Sequence, residues 1–449
     1  MKKALIVGNG KSGKSASKFL KKLGYMTYVT DDDQKNLNKL YYKDRFMKSL
    51  SLVVLSPGVS LSHRIVSIAK SYGIDTLCEF ELGCLFCSCP LVMITGTNGK
   101  TTTTTLLGRL LYDDRFKNVY VGGNIGVPVT SFATKTTQDD IVVLEASSFQ
   151  LESKKRTVAH VAAFLNIAPD HLSRHKSMEN YIKAKMKIFD GQTSKDFAVI
   201  NYDDKKLVSL VKDIKPQVYY FSIKEKVKGC FIDGDCIYFS DGISTDRIAS
   251  IYDLKILGEH NLQNALCAVL IARLLGVRNE TIRKALASFT GVSHRLEFVT
   301  DIDNVSFYND SKSTNIASSI VAMNSMTANT TIILGGSDKG LEFDDLFLNA
   351  NSNIKNFICI GETKNKLIST AEQYGISNVY EALTLKEAVD LAFSLSKNGD
   401  CVLLSPACAS FDMFSNYEER GKVFMNIVRE KANHVDKQKR KFNARYKKE

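Results

Sequence analysis

The stretch Gly96-Thr97-Asn98-Gly99-Lys100-Thr101-Thr102 joins an apolar run, LVMIT, to a segment that reads as a helix. Such a glycine turn aims backbone N–H groups and the positive end of a helix dipole at one point, where an anion can sit. A lysine at 100 suits β- and γ-phosphate oxygens, and the Thr101 hydroxyl suits Mg²⁺. The loop is a variant, because Ile94 stands where the general phosphate-loop pattern has glycine. A tight strand–helix turn without a ligand is the plain alternative. Thr103, Thr104 and Thr105 extend the run with β-branched residues that are poor helix formers. No chemistry is assigned to them, and they are expected to pack against the sheet.

Other residues of the right type lie downstream. Glu145 closes the run IVVLE, and the carboxyl ends of strands are where α/β sheets build sites. A carboxylate there is a hard oxygen ligand for Mg²⁺. His171 follows the run HVAAFLNI and sits beside Asp170, where it stands evenly between a packed histidine and a ligand. Lys183, Lys185 and Lys187 alternate in YIKAKMKIF and by themselves read as a solvated face. Near the N-terminus GNGKSG matches G-x-G-x-x-G at Gly8, Gly10 and Gly13, with Asp31, Asp32 and Asp33 about 20 residues on. A lone match of this kind says only that a pyrophosphate can sit on the first helix. Cys84, Cys87 and Cys89 lack a fourth ligand at zinc spacing and read as small buried apolar groups.

These groups need elements to hold them. At 449 residues the chain is long enough for two to four domains. The runs ALIV, MTYVT and LVVLSPG alternate with helical segments up to Pro90, which predicts a parallel sheet with covering helices. A second α/β region begins at LVMIT. Within it CFIDGDCIYF carries Asp233-Gly234 between β-rich arms, a type I′ hairpin signal, so a small antiparallel sheet is expected beside the parallel one. The helix NLQNALCAVLIARLLG stops at Gly276, and FTGVSHRLEFV reads as a hinge into a third region whose strands are VSFYND, TIILGG, NFICIG and CVLLSPA. The fold class is therefore α/β, in three domains each built on a mainly parallel sheet with flanking helices.

Composition narrows the function. Hydrophobic residues make up 44% and charged residues 24% of the chain, as in ordinary globular proteins. No apolar run reaches membrane-spanning length, and the four-residue apolar run at the start is too short for a secretion signal. The chain is accordingly expected in the cytoplasm, with its 10 cysteines reduced. A net charge of +12 favours phosphorylated small molecules, because no nucleic-acid-binding signature accompanies it. Part of that charge lies in the tail at about 431–449, which reads as a solvated, frayed helix with an acidic membrane surface as its alternative contact.

Several blocks now fit one family. The chain resembles the Mur ligases, which join amino acids to the peptidoglycan precursor, and within them the branch that adds D-glutamate. The resemblance is carried by GTNGKTT at 96–102, GGNIG at 122–126, EASSFQLE at 145–152 and DH at 170–171. It continues through GEHNLQNALCA at 258–268, HRLE at 294–297, NDSKSTN at 309–315, LGGSDKG at 334–340 and SPACASFDMF at 405–414. Taken in order, the blocks span nearly the whole chain.

The resemblance implies a Rossmann-like domain at 1–89 for the UDP end of the substrate, and a central ATPase domain at 90–290. It implies a dinucleotide-fold-like domain at 291–449 for the amino acid. It implies ATP, two Mg²⁺ and a carbamylated Lys185 as cofactors, with UDP-N-acetylmuramoyl-L-alanine and D-glutamate as substrates and a monomer as the working form. Gly96, Thr97, Asn98, Gly99, Lys100, Thr101 and Thr102 would bind the ATP phosphates. Thr101 and Glu145 would hold one Mg²⁺, and His171 and Lys185 the other. Asn261, Asn264, Arg295 and Asp310 would contact the nucleotide. Lys312, Thr314, Lys339, Ser410 and Tyr417 would form the D-glutamate cage. Asn124 and His171 would meet the muramoyl-alanine, with Lys11, Ser12, Asp31 and Asp32 at the UDP end. Two departures stand out. TDDD replaces the hydroxyl and arginine often found near the uridine, and Tyr417 replaces the usual phenylalanine. Rival readings are ligases adding L-alanine or a diamino acid, folylpolyglutamate synthase, an NAD-dependent oxidoreductase and a non-catalytic scaffold. SPACASFDMF favours D-glutamate among the additions.

Overall fold

The computed structural model describes residues 1–31, 43–112, 115–256, 258–338 and 340–446. It forms two compact units, Met1–Leu254 with Asn261–Phe289, and Lys255–His260 with Thr290–Glu449. The first unit holds two sheets and the second holds one.

The N-terminal sheet runs Met26–Thr30, Lys3–Val7, Leu52–Leu55, Asp75–Cys78 in spatial order, all parallel. Asp75–Cys78 is a fourth strand that the sequence reading missed, being short and without apolar alternation. The first helix, Lys11–Lys22, turns Ala16, Phe19 and Leu20 into the core, and Gly24 ends it at φ +80°. The three glycines of GNGKSG serve different ends. Gly8 sits at φ +101°, and a Cβ on Gly13 would lie 1.8 Å from the Gly8 carbonyl oxygen. Gly10 has open space around it.

The second sheet has nine strands, in the order Thr245–Ser250, Cys236–Ser240, Gly229–Asp233, Gln217–Ser222, Phe197–Asn201, Val161–Phe164, Leu91–Thr95, Ile141–Glu145, Val119–Gly123. Its central members, Leu91–Thr95, Ile141–Glu145 and Val161–Phe164, are buried at every residue. That explains their continuous apolar runs, since a parallel sheet covered on both faces has no polar side. Each fully buried Val, Ile or Leu there contributes about 1.5–3 kcal/mol. The expected antiparallel strands are present, but they continue this sheet rather than stand beside it, because Gly229–Asp233 pairs in parallel with Gln217–Ser222. The hairpin turn also differs from the expectation. Its central pair is Gly234-Asp235, with positive φ at Gly234 alone, the type II′ pattern. The cross-strand pair Phe231 and Tyr238, stacked at 5.8 Å, fixes that register.

The sheet of the second unit runs Glu297–Ile302, Val305–Asn309, Cys401–Leu404, Thr330–Gly335, Ile354–Ile360, Val379–Glu381. Only its first pair is antiparallel. That pair is a hairpin closed by Asp303 and Asn304, both at positive φ as a type I′ turn requires. A long helix, Tyr417–Tyr446, covers the sheet through Phe424 and Val428.

The glycine geometry predicts that Gly13→Ala destabilises the first unit by about 1–3 kcal/mol, through overpacking against a backbone oxygen. Gly10→Ala is expected to stay within about 0.5 kcal/mol of the parent. Urea unfolding of the two variants checks both values.

Candidate active site

Strand Leu91–Thr95 delivers the phosphate loop to the head of helix Lys100–Leu110. Gly99 takes φ +83°, and a Cβ there would meet Asn264 Oδ1 at 2.2 Å, so only glycine fits. The loop is held from below by Asn166, which the sequence reading missed. Its side-chain oxygen accepts from the Asn98 N–H at 2.9 Å, and its amide donates to the Asn98 carbonyl at 3.2 Å. Thr97 N–H donates to the Asn166 carbonyl at 3.0 Å. Thr103 has a role after all, donating to the Gly99 carbonyl at 3.1 Å and lying 3.3 Å from Asn264 Oδ1. Asn264 in turn donates to Asn261 at 3.3 Å, so both asparagines are tied to the loop. Thr104 is buried, as expected of a packing residue, and Thr105 is half-buried; Thr102, assigned to the phosphates, is buried as well.

Glu145 ends its strand with its carboxylate engaged on both oxygens. Thr101 Oγ1 donates to one at 2.8 Å, and the Asn124 amide donates to the other at 2.7 Å. Oxygen donors from Thr101 and Glu145 thus converge, the chemistry a hard cation prefers. Among the described residues no group of three or more His, Cys, Asp and Glu side chains is placed to hold a metal ion. Any fuller ligand set must therefore draw on other groups.

Of the three alternating lysines, Lys183 is exposed, Lys187 is half-buried and Lys185 is 1% exposed, so the solvated face ends at Lys183. Lys185 Nζ donates to the Gly96 carbonyl at 2.7 Å and lies 3.3 Å from Thr95 Oγ1. Lys100 Nζ shares the same carbonyl at 2.9 Å and also reaches that of Thr97 at 2.8 Å. Burial pushes the Lys185 amine well below the ordinary lysine range, and the charge of Lys100 pushes the same way. Tyr181, one helical turn before it, lies with its ring 4.9 Å from Nζ and its hydroxyl 3.3 Å from Thr97 Oγ1. Burial raises that phenol to about 12, so it stays protonated. The i, i+4 spacing of Tyr181 and Lys185 was the available sequence signal for this pairing.

His171 stands at φ +53° at the head of the short helix Leu172–His175. Its ring lies 3.4 Å from Asp170 and 4.9 Å from the Phe149 centroid. Burial lowers its pKa, which favours the neutral ring that a metal ligand needs. Phe149 is set by helix Ser148–Glu152, whose start is closed by the Ser147–Gln150 capping box.

At the N-terminal sheet, the Asn9 N–H donates to Asp31 at 3.0 Å, and the Lys11 ammonium donates to the Gly126 carbonyl. GNGKSG and GGNIG therefore meet. Ser12, on the first turn of the first helix, is half-buried. Asp32, like Lys339, lies outside the described residues.

The second unit gathers the remaining set. Asp310 is buried and accepts from Ser405 Oγ at 2.7 Å and from the Leu296 N–H at 3.3 Å. Burial raises its carboxyl to about 6, while the Arg295 charge opposes. Lys312 Nζ lies 5.7 Å from the Tyr417 ring centroid, and the Thr314 N–H donates to the Lys312 carbonyl at 2.9 Å. Ser410 is buried, and its carbonyl accepts from Phe414 N–H at 2.8 Å. Arg420, a residue missed from sequence, is 1% exposed. It donates to Ser311 Oγ at 3.0 Å, to the Ser311 carbonyl at 2.9 Å and to the Cys408 carbonyl at 3.1 Å. Two loops that bear predicted residues are thereby pinned to the last helix. Cys84 is buried and Cys87 and Cys89 pack against the core of the first unit, as small apolar groups.

The raised Asp310 sets a pH expectation. An acid with a folded pKa of about 6 and an ordinary value of 3.8 binds its proton more tightly when folded. Its burial costs nothing below pH ~4 and reaches about 3 kcal/mol above pH ~6, so stability falls as pH rises through that window. Asp310→Asn is expected to gain in Tm over the parent at pH 7.5 and to lose that gain at pH 4. Thermal unfolding at both values is the check.

Comparison with known proteins bears on the family. The Mur ligase middle domain model matches residues 94–272, and the Mur ligase, glutamate ligase domain model matches residues 294–408. A protein of Caldicellulosiruptor bescii named UDP-N-acetylmuramoylalanine--D-glutamate ligase is 42% identical over 448 residues, covering 96% of this chain and 98% of its own. One of the same name from Thermoanaerobacter sp. is 41% identical over 447 residues, with the same coverage. Among solved structures, UDP-N-acetylmuramate-alanine ligase MurC from Thermotoga maritima shares the fold with a TM-score of 0.59 at 16% identity, covering 96% of this chain and 100% of that one. The MurF ligase of the same organism, solved with ADP, gives 0.58 at 18% identity over 87% of this chain and 92% of that one. With its nine-stranded sheet, its glycine loop and matches along nearly its whole length, the chain belongs to the Mur ligase family.

Proposed function

We propose that this protein is the ATP-dependent amide ligase that joins D-glutamate to UDP-N-acetylmuramoyl-L-alanine through an acyl phosphate, in cytoplasmic peptidoglycan precursor synthesis. The observation that carries the reading is the pair of lysine amines on the Gly96 carbonyl, beside the Thr101–Glu145–Asn124 cluster. Relatives named for D-glutamate addition, at 40–42% identity, favour that substrate over L-alanine or a diamino acid.

Carboxylates do not acylate amines until activated. The alanyl carboxylate attacks the γ-phosphorus of ATP, the P–O bond to ADP breaks, and an acyl phosphate forms. The D-glutamate amine then adds to the acyl carbon, loses a proton, and phosphate departs. Lys100 swings from its loop carbonyls to the transferring phosphoryl group and offsets the charge that develops there. The loop N–H groups at the head of helix Lys100–Leu110 orient the phosphates. Asn261, Asn264, Arg295 and Asp310 are assigned to the nucleotide. Lys312, Thr314, Lys339, Ser410 and Tyr417 are assigned to D-glutamate, whose carboxylates suit cations and hydroxyls. Lys11, Ser12, Asp31 and Asp32 are assigned to the UDP end, and Asn124 and His171 to the muramoyl-alanine.

Thr101 and Glu145 fit one Mg²⁺ as oxygen donors, and His171 with a carbamylated Lys185 fits a second. When bound, the two cations neutralise charge on the phosphoryl oxygens. Carbamylation suits Lys185 because its buried amine gives up its proton readily. The neutral nitrogen adds CO₂, an N–C bond forms, a proton leaves, and a cation becomes an anion that a metal can accept.

Phosphate release is expected only when D-glutamate accompanies ATP, Mg²⁺ and UDP-N-acetylmuramoyl-L-alanine, in step with new amide; no release under those conditions ends the proposal. Lys100→Ala should lower turnover by roughly 10²–10³-fold while the fold survives. Lys185→Ala should be nearly inactive and partly restored by millimolar formate or acetate. Full activity in that variant without added carboxylate would remove the carbamate.

A further inference from the structure

Arg174 belongs to no assigned set, yet one guanidinium ties three parts of the first unit together. It donates through Nη1 to the Gly58 carbonyl at 3.1 Å, and through Nη2 to the Val59 carbonyl at 3.2 Å and to Glu152 Oε2 at 3.1 Å. Its planar head lies 4.5 Å from the Phe149 centroid. Phe149 also holds the His171 ring at 4.9 Å and stacks on His175 at 5.6 Å. His175 is fixed in turn by Ser148 Oγ at 3.0 Å. Arg174 thus sits three residues after His171 and grips the ring against which His171 rests.

Its other grip is on the N-terminal sheet. Gly58 and Val59 form the turn after strand Leu52–Leu55. The Val59 N–H donates to the Ser56 carbonyl at 2.9 Å, and Ser56 Oγ donates to the Gly8 carbonyl at 3.2 Å. Gly8 opens the GNGKSG turn, whose Lys11 and Ser12 are assigned to the UDP end. A chain of direct contacts therefore runs from that turn, through Ser56, Val59 and Arg174, to Phe149 and His171.

We infer that Arg174 is a positioning residue that fixes the span between the UDP-end turn and the His171 turn, and so selects for the full-length nucleotide–sugar–amino-acid substrate. This rests on the function proposed above. A substrate that must present one end at GNGKSG and its carboxylate near His171 and Lys185 gains from a rigid separation between the two. Serving three acceptors and a ring face at once needs the flat, five-donor fork of arginine. The single ammonium of lysine keeps the charge and loses that geometry.

The test is steady-state phosphate release by the full chain and its Arg174→Lys and Glu152→Gln variants, with thermal unfolding alongside. Expected for Arg174→Lys is a Tm within a few degrees of the parent and a KM for UDP-N-acetylmuramoyl-L-alanine raised about tenfold or more, with KM for ATP within about twofold. Glu152→Gln keeps an acceptor oxygen and should show the same selective rise, only smaller. Parent-like KM for the UDP substrate in Arg174→Lys, or a parallel rise in both KM values, overturns the inference. Should Arg174→Lys not fold, Glu152→Gln decides, and parent-like values there overturn it. A parent enzyme that releases no phosphate removes the function and the inference together, whereas an active parent with an indifferent Arg174 removes the inference alone.

Discussion

Two lysine amines donate to one carbonyl oxygen, that of Gly96, and much of the first unit follows from that crowding. Nitrogens so placed lie within about 6 Å of each other, where two full charges repel by roughly 3 kcal/mol at an effective dielectric of 20. One of the two must surrender its proton or its place. Lys185 has no exit, being walled in by Tyr181 and the loop, so its protonation yields. Lys100, at the head of its helix, is only half-buried. The carbonyls of Gly96 and Thr97 are thereby satisfied by the Lys100 ammonium, which holds the loop closed on itself.

That arrangement needs a rigid floor. It is supplied by three adjacent parallel strands with no exposed residue, Leu91–Thr95, Ile141–Glu145 and Val161–Phe164, which end at the loop, at Glu145 and just before Asn166. Side chains beyond the strand ends then lock to one another. Asn166 holds Asn98, Glu145 holds Thr101 and Asn124, and Asn264 fills the space that a side chain on Gly99 would claim. The apolar interior fixes where the strands stop, and the polar groups just past their ends take fixed positions with little further entropy to lose.

The legible parts of the sequence were those written by periodicity and glycine. Parallel strands buried on both faces leave long apolar runs, and Gly99, Gly24 and Gly276 mark turns by positive φ. What escaped was set by tertiary contact. Asp75–Cys78 is a strand only because Leu52–Leu55 pairs with it. The hairpin at Asp303-Asn304 left little trace in sequence because neither central residue is glycine, although both take the positive φ of a type I′ turn. The alternation of Lys183, Lys185 and Lys187 did not single out Lys185; its burial does, and that rests on Tyr181 one turn earlier in the same helix and on Thr95 at the end of a strand. Arg174 and Arg420 drew no reading from the sequence. Each is a multi-point tie to backbone carbonyls, an environment with no signature in a local window.

Arg420 has a consequence for how the chain is made. Its guanidinium closes on Ser311, 109 residues upstream, and on carbonyls of the Cys408–Ala409 turn. The Ser311 and Cys408 carbonyls lie on fully buried residues and take their donor from Arg420, so until residue 420 leaves the ribosome they lack it and stay hydrated; the Ala409 carbonyl also accepts from the Ser337 N–H. The loops at Ser311 and Cys408 are therefore sealed only when the final helix arrives. Nascent chains in which the Gly96–Thr102 turn has already settled would still carry these two loops unsealed, a lag between the two units that ends with the last helix.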